Sequence, residues 1–234
     1  MGDRVIQTPA QLRTALRNGF TEPILEQLFF RLPPSELDDK AVAAFEQAYG
    51  TTQRGEAVRL DPSLQKHEFL RYLIAHHPVL LHGSNHADVD ELTPRSQTDF
   101  DGNPVNAVFA TGDCVWPMFF AIVDQTTFRG SMRNGCFVVD GSEPQRYYFF
   151  SVYKEWLAKS EWCNGTIYVL PKATFRRSDT NAIRFDEWIC EAPVRPLMKL
   201  PISPSDFPFL SRVAGHNEKE SIYVSWLRYK ERVR

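Results

Sequence analysis

The hydrophobic pattern of the chain changes at Pro78, and this change most limits what the chain can fold into. Before Pro78, apolar residues recur at helical spacing and stand next to helix-capping residues. This part predicts three amphipathic helices, over 10–16, over 34–50 and in the segment after Asp61-Pro62. After Pro78, short apolar runs end at Gly, Pro, Asn or Asp, as buried strands do. The sequence thus predicts a helical N-terminal region at 1–77 and a second domain at 78–234.

The second domain contains predicted strands without regularly alternating helices. We expect these strands at 79–81, 107–111, 136–139, 147–153, 166–170, 188–194 and 199–202. One helix is expected over 115–123, and the basic residues of 227–234 are expected to form a solvated helix end. Doubly wound parallel sheets alternate strand and helix, so this pattern favours an α+β fold with a mixed or antiparallel sheet.

The composition limits the partners. The chain carries 27 Lys and Arg against 29 Asp and Glu, so its net charge of −2 provides no overall field that attracts nucleic acid or an anionic membrane. No apolar run reaches the roughly 18 residues of a membrane span, and we expect a cytoplasmic protein without a membrane partner. The 4 cysteines form no C-x-x-C pair and are expected to be reduced packing thiols.

Several common catalytic motifs are missing from the sequence. It has no G-x-G-x-x-G, no G-x-x-x-x-G-K-[ST], no G-x-S-x-G and no H-E-x-x-H, which argues against Rossmann dehydrogenases, P-loop enzymes, α/β-hydrolases and zincins. Four of the 6 histidines, His76, His77, His82 and His86, lie close together in sequence. Their spacing matches no known ligand pattern, so we expect no metal site.

Three predicted strands carry residues that could bind a ligand or take part in catalysis. His82-Gly83-Ser84 directly follows the apolar run at 79–81, and a glycine there lets a ligand approach the backbone. Ala107-Val108-Phe109-Ala110-Thr111 is a second strand, followed by an apolar helix. Asp186-Glu187 opens a later strand, in which period-2 alternation would place Glu187 and Glu191 on one face.

In this order, the three segments resemble the ADP-ribosyltransferase superfamily, in the branch that contains poly(ADP-ribose) polymerases and small rifampin-modifying transferases. In that family, a strand ending in H-G-S or H-G-T holds the nicotinamide half of NAD+, a later strand supplies a stacking aromatic, and a late strand begins with an acidic residue. His82-Gly83-Ser84, Val108-Phe109-Ala110-Thr111 and Glu187-Trp188-Ile189 are similar to these motifs, and the resemblance covers roughly 77–204.

The resemblance implies a split sheet of ADP-ribosyltransferase type, with the helical N-terminal region as an extension and with NAD+ as a substrate. It implies catalytic roles for Glu187 and His82, and contacts to NAD+ from His82, Gly83, Ser84, Phe109 and Thr111. Glu187 would stabilise the positive charge that develops on the ribose as the bond to nicotinamide breaks. Asp186 and Glu191 are alternatives for this carboxylate.

The same resemblance implies roles for the first two motifs. His82 would donate to a ribose hydroxyl, and the backbone of Gly83 and the hydroxyl of Ser84 would bind the nicotinamide carboxamide. The family usually carries Tyr near Phe109, which can stack but has no hydroxyl. Either Phe109 provides stacking alone, or another aromatic does so, namely Tyr147, Tyr148 or Tyr168.

The expected activity is that of a mono-ADP-ribosyltransferase, or of an NAD+ glycohydrolase of the same fold. Its acceptor is unidentified: a protein, a nucleic acid, a small molecule or water. An NAD+-dependent RNA 2'-phosphotransferase and a non-catalytic nucleotide-binding protein are the alternatives. Basic residues at 172–177, or Arg129 and Arg133, can pair with phosphate, whereas the acidic stretch at 88–101 counts against a nucleic-acid acceptor.

Overall fold

A computed structural model describes residues 6–17, 21–98, 104–139, 144–178 and 185–233 of the chain. It is an α+β fold, with 34% of the residues in helices and 30% in strands, as the sequence predicts. Among the described residues, no helix is both long enough and apolar enough to cross a bilayer.

The structure contains seven α-helices in the described residues: α1 Pro9–Arg17, α2 Glu22–Leu28, α3 Asp39–Thr51, α4 Lys66–His76, α5 Trp116–Ile122, α6 Lys154–Lys159 and α7 Ile222–Arg232. Three short 3-10 helices lie at Lys172–Thr174, Pro204–Asp206 and Leu210–Arg212. The sequence missed α2 and α6, whose seven and six residues are too few to show a clear helical period.

Two predicted helix starts are wrong by about one turn. The second helix begins at Asp39, because the Asp38 carboxylate accepts the amide of Ala41 at 2.7 Å and so caps it there. The third begins at Lys66, because Asp61 instead forms a local turn in which its side chain accepts the amide of Ser63 at 2.8 Å.

The described strands are β1 Val79–Ser84, β2 Arg95–Thr98, β3 Pro104–Thr111, β4 Met132–Val139, β5 Gln145–Tyr153, β6 Gly165–Pro171, β7 Arg176–Arg177, β8 Glu187–Cys190, β9 Met198–Ile202 and β10 Ala214–His216. All seven predicted strands are present. The sequence missed β2, β7 and β10, which have two to four residues and little apolar alternation. It also extended β8 too far, since the chain bends after Cys190, just before Pro193.

The strands form two sheets. The larger is seven-stranded, in the order β7-β8-β3-β1-β6-β9 with β2 paired to β3, and its pairings are antiparallel. The smaller has the order β10-β5-β4, with β10 parallel to β5. The predicted mixed or antiparallel arrangement is therefore confirmed.

Strands β1 and β3 pair over a short distance only. Within the described chain their register is defined by one pair, Leu81 opposite Thr111, whereas six pairs join β1 to β6. Residues 82–84 of β1 and the preceding residues of β3 thus diverge instead of continuing the ladder. This divergence opens the larger sheet between its two halves.

Helix α5 packs directly on β1 and β6 at two glycines. A Cβ on Gly83 would lie 1.8 Å from the carbonyl oxygen of Pro117, and one on Gly165 would lie 2.0 Å from that of Ala121. Neither position can hold a side chain without moving the helix, because both obstacles are backbone atoms.

The N-terminal helices share a core with the rest of the chain. Phe29, directly after α2, stacks on Phe137 of β4 with ring centroids 4.5 Å apart, and it contacts Trp226 of α7 edge to face. Within the segment predicted to be a solvated helix end, Tyr229 is buried whereas Arg228 and Glu231 are exposed, so one face of this helix end packs on the core and the other faces solvent. The division at residue 77 stays a prediction, while the buried residues on both sides of it form one continuous cluster.

Candidate functional site

A cleft of about 530 Å³ lies where β1 and β3 diverge. It is lined by residues 81–83 of β1, residues 109–111 of β3 and Glu187 at the start of β8. Its other walls come from α5, β2, β4, α7 and Phe185. Pockets that enclose small molecules typically have volumes of about 300–1,000 Å³ and combine mostly apolar walls with a few polar groups, as this one does.

The structure brings together five of the six residues that the sequence singled out: His82, Gly83, Phe109, Thr111 and Glu187. The sixth, Ser84, is not among the described residues that line the cleft. Its hydroxyl accepts the amide of His86 at 3.2 Å in the turn that follows β1.

Glu187 lies directly opposite Thr111 in the antiparallel register of β3 and β8. Its side chain is half-buried, whereas Thr111 is buried. Residues opposite each other in such a pair project from the same face of the sheet. The register therefore places a carboxylate and a hydroxyl side by side on the cleft wall.

The two alternative carboxylates do not line the cleft. Glu191 follows the end of β8, is exposed and pairs with Arg176 at 2.7 Å, so the expected alternation with Glu187 does not extend to it. Asp186 is 2% exposed and is bound by Arg146 at 2.7 Å and by the indole of Trp188 at 3.0 Å. Burial would raise the pKa of Asp186, but these partners outweigh it and hold the pKa below its usual range.

His82 is held by a hydrogen bond across the opening between β1 and β3. Its Nδ1 lies 2.7 Å from the carbonyl oxygen of Phe109, and a carbonyl can only accept, so Nδ1 carries the hydrogen. Burial lowers the pKa of His82, although the bond to Phe109 opposes the shift. The neutral ring with a hydrogen on Nδ1 presents Nε2 as an acceptor.

The structure shows why position 83 requires a glycine, and this reason could not be predicted from the sequence. The missing side chain makes room for the carbonyl of Pro117 and hence for α5, as described above. Gly83 also lines the cleft. The glycine is therefore explained by helix packing whether or not a ligand approaches its backbone.

Several aromatic side chains line the cleft, and four of them could not be identified from the sequence. Trp116, Phe120, Phe185 and Trp226 join Phe109 around the cavity. The Trp116 indole donates to the Asn134 side chain at 2.6 Å, which fixes the orientation of the ring. In the sequence these aromatics look like ordinary core residues, because nothing local shows that three distant elements meet at one cleft.

The three alternative aromatics for stacking are engaged elsewhere. The hydroxyl of Tyr147 donates to Glu22 at 3.1 Å, that of Tyr148 donates to Asp113 at 2.6 Å, and that of Tyr168 donates to the backbone of His86. All three rings are buried and are absent from the described lining of the cleft. Of the aromatics named from the sequence, Phe109 is the one in the cleft.

The basic residues that could bind phosphate have protein partners. Lys172 and Arg177 lie over the ring of Trp188, at 4.8 and 5.5 Å from its centroid. Arg133 does line the cleft, but its guanidinium donates to the Ser225 hydroxyl at 2.7 Å. Arg129 donates to backbone carbonyls of its own loop.

Among the residues that the structure describes, no group of three or more His, Cys, Asp or Glu side chains is arranged to hold a metal ion. His76 stacks on Tyr72, and His77 stacks on Tyr49, with ring centroids 4.2 and 3.8 Å apart. The histidines that are close in sequence thus belong to different surroundings.

Comparison of the chain with family models, curated proteins and solved structures finds no match.

Proposed function

We propose that this cleft binds NAD+ and transfers its ADP-ribose to an acceptor or to water, as in a mono-ADP-ribosyltransferase of the superfamily that the sequence resembles. The observation that carries the proposal is that Glu187, His82 and Phe109, taken from three separated motifs, line one cleft. The opening of the sheet between β1 and β3 agrees with the split sheet that the resemblance implies.

The nicotinamide end of the substrate fits the part of the cleft between β1 and β3. The ring of Phe109 can stack on the nicotinamide, and stacked rings contribute about 0.5–1.5 kcal/mol beyond the area they bury. The backbone of Gly83 can pair with the carboxamide. Ser84 has no part in this arrangement, because its hydroxyl lies in the following turn.

Glu187 has the role of stabilising the reacting ribose. The bond between C1' and nicotinamide breaks, nicotinamide leaves with the bonding electrons, and the sugar gains oxocarbenium character. A carboxylate fixed beside that centre lowers the barrier, because its negative charge is placed before the reaction begins. The acceptor then attacks C1' and gives its proton to Glu187 or to solvent.

His82 acts as an acceptor rather than as the donor that the resemblance suggested. Its Nδ1 hydrogen is used by the carbonyl of Phe109, so Nε2 of the neutral ring accepts a hydrogen bond from a ribose hydroxyl. This bond orients the sugar and leaves the charge of the site to Glu187.

The pairing of the basic residues with other protein groups supports ADP-ribose transfer over RNA 2'-phosphate transfer in this proposal. Phosphate transfer requires several free basic groups around a phosphate, whereas Arg176 and Arg177 pair with Glu191 and Asp186.

The four cysteines are free thiols, which fits activity in a reducing compartment such as the cytoplasm.

The test is incubation of the protein with NAD+, followed by chromatographic detection of nicotinamide and by mass spectrometry of the protein. We expect nicotinamide release without any RNA present. Addition of ADP-ribose to the protein would identify the chain as its own acceptor, and free ADP-ribose would identify water. Calorimetric binding of NAD+ without nicotinamide release would show a non-catalytic binding protein, and a requirement for phosphorylated RNA would show a phosphotransferase.

A further inference from the structure

Arg146 lies near the start of β5, outside the residues that line the cleft, yet it contacts the ends of two strands that form the cleft. Its guanidinium donates to the carbonyl of Gly112 at 3.2 Å and to the carboxylate of Asp186 at 2.7 Å. Its Nε lies 3.3 Å from the carboxylate of Asp113. Gly112 and Asp113 directly follow β3, and Asp186 directly precedes β8.

Both carboxylates are buried and held by further bonds. Asp113 accepts the Tyr148 hydroxyl at 2.6 Å and the amide of Trp116 at 2.6 Å, so it also fixes the start of α5. Asp186 accepts the indole of Trp188 at 3.0 Å. The side chains of Asp113 and Asp186 are 1% and 3% exposed, so their positions are closely restricted by packing as well as by charge.

The residues next to this cluster are the ones that face the cleft. Thr111 precedes Gly112, Glu187 follows Asp186, and the two lie opposite each other in register. The Arg146 guanidinium therefore links the two residues that directly follow β3 to the residue that directly precedes β8, just beyond the last pair of the β3–β8 ladder. A planar fork can do this because its donors have fixed directions.

We propose that Arg146 is a positioning residue, which places the Glu187 carboxylate in the cleft by clamping Asp186 to the end of β3. Its effect on turnover rests on the proposed function. Its effect on the position of Glu187 is independent of the proposed function and can be measured in the absence of any activity.

Arg146→Lys separates positioning from charge balance. The lysine keeps the positive charge beside two buried carboxylates, but its single ammonium cannot reproduce a planar group that hydrogen-bonds Gly112 and Asp186 and lies beside Asp113. Asp186→Asn is the second variant, because it keeps the shape of the side chain and removes one arm of the clamp. The control is Arg195→Lys, at an exposed arginine that pairs with Glu91 at 3.1 Å on the surface.

The first readout is amide hydrogen exchange measured by NMR. The amide of Ser178 donates to the carbonyl of Glu187 at 3.0 Å and so reports on the start of β8. In Arg146→Lys and in Asp186→Asn we expect this amide to exchange about tenfold faster or more, with no change in Arg195→Lys. Unchanged exchange in Asp186→Asn would overturn the proposal, even if Arg146→Lys failed to fold.

The second readout is the kinetics of nicotinamide release, at a temperature where each variant is folded. We expect kcat to fall about 10- to 100-fold while KM changes less than about threefold, because misplacing a reacting group affects the transition state more than binding. The double variant should lose no more than the worse single variant, since both changes break one link. The proposal would be overturned if the losses of kcat multiplied in the double variant, or if only KM changed. If the wild type released no nicotinamide, the proposed function would be contradicted, and the exchange measurement alone would test the role of Arg146.

Discussion

Thr111 and Glu187 lie opposite each other where β3 and β8 reach the cleft, although they belong to separate segments of the sequence. The pairing gives the carboxylate a fixed neighbour and a fixed direction. His82 reaches the same cleft from β1, and its bond to the carbonyl of Phe109 spans the opening. The candidate site thus depends on the pairing of strands in the larger sheet.

Phe109→Leu is expected to weaken NAD+ binding about 2- to 10-fold, because the aliphatic side chain keeps the apolar contact but loses ring stacking. Phe109→Tyr keeps the ring and should bind within about twofold of the wild type. Isothermal titration calorimetry measures both. Equal affinities for the leucine and tyrosine variants would show that the ring does not stack on the substrate.

The pH dependence of kcat/KM tests His82. Burial lowers the pKa of this histidine below its ordinary 6.5, so the ring stays neutral and Nε2 can accept at neutral pH. We expect no loss from His82 between pH 8 and about 6.5, and a loss only at lower pH, where protonation removes the acceptor. His82→Asn should lower kcat/KM, whereas His86→Asn, at the exposed histidine of the next loop, should not. Equal losses in the two variants would remove His82 from the site.

Gly83→Ala is expected to destabilise the protein by about 2 kcal/mol or more, because the added methyl would lie 1.8 Å from the carbonyl oxygen of Pro117. The matched control is Gly50→Ala in α3, where an added Cβ meets nothing within 4 Å. There the change should stabilise the helix by about 0.5–1 kcal/mol. Denaturant unfolding measures both, and a neutral Gly83→Ala would disprove the close packing of α5 on β1.

The burial of His216 predicts that the free energy of unfolding falls in acid. It is 1% exposed and lies between the hydroxyls of Ser131 and Ser151, each 2.7 Å from a ring nitrogen. Burial, with the nearby charges of Arg133 and Arg232, lowers its pKa from 6.5 to about 4. Between these values the unfolded chain binds more protons than the native protein, so stability is complete above pH 6.5 and falls as the pH drops towards 4.

We expect the contribution of His216 to this fall to be on the order of 2 kcal/mol. His216→Asn, which retains polar atoms for the serines, should lack that part of the fall. The measurement is the free energy of unfolding at pH 7 and at pH 4.5 for both proteins. If the two proteins lose the same free energy between these pH values, His216 is not neutral in the native state.

The parts of the fold that could be predicted from the sequence are those with a local signal. The apolar runs that became β1, β3, β5 and β6 have enough alternation or length to identify them, and they establish the fold class. Helix α2 and strands β7 and β10 are too short for such a signal. Their positions depend on contacts with elements distant in sequence, such as the pairing of β10 with β5.

The candidate site shows the same limit. His82, Phe109 and Glu187 could be named because each stands in a short motif with a fixed position on a strand. The choice among Asp186, Glu187 and Glu191 could not be made from the sequence, since it depends on Arg146 and Arg176, which are distant or on another strand. Trp226 in α7 likewise reaches the cleft only through tertiary packing.

The role of Glu187 is tested most directly by measuring nicotinamide release and NAD+ binding for the wild type, for Glu187→Gln and for Glu191→Gln. Glu187→Gln should reduce release about 100-fold or more while it still binds NAD+, because the neutral amide fills the same space without the charge. Glu191→Gln, at the exposed carboxylate beyond β8, should match the wild type. Wild-type release by Glu187→Gln would contradict a catalytic role for Glu187, since no charge at this position would then be needed.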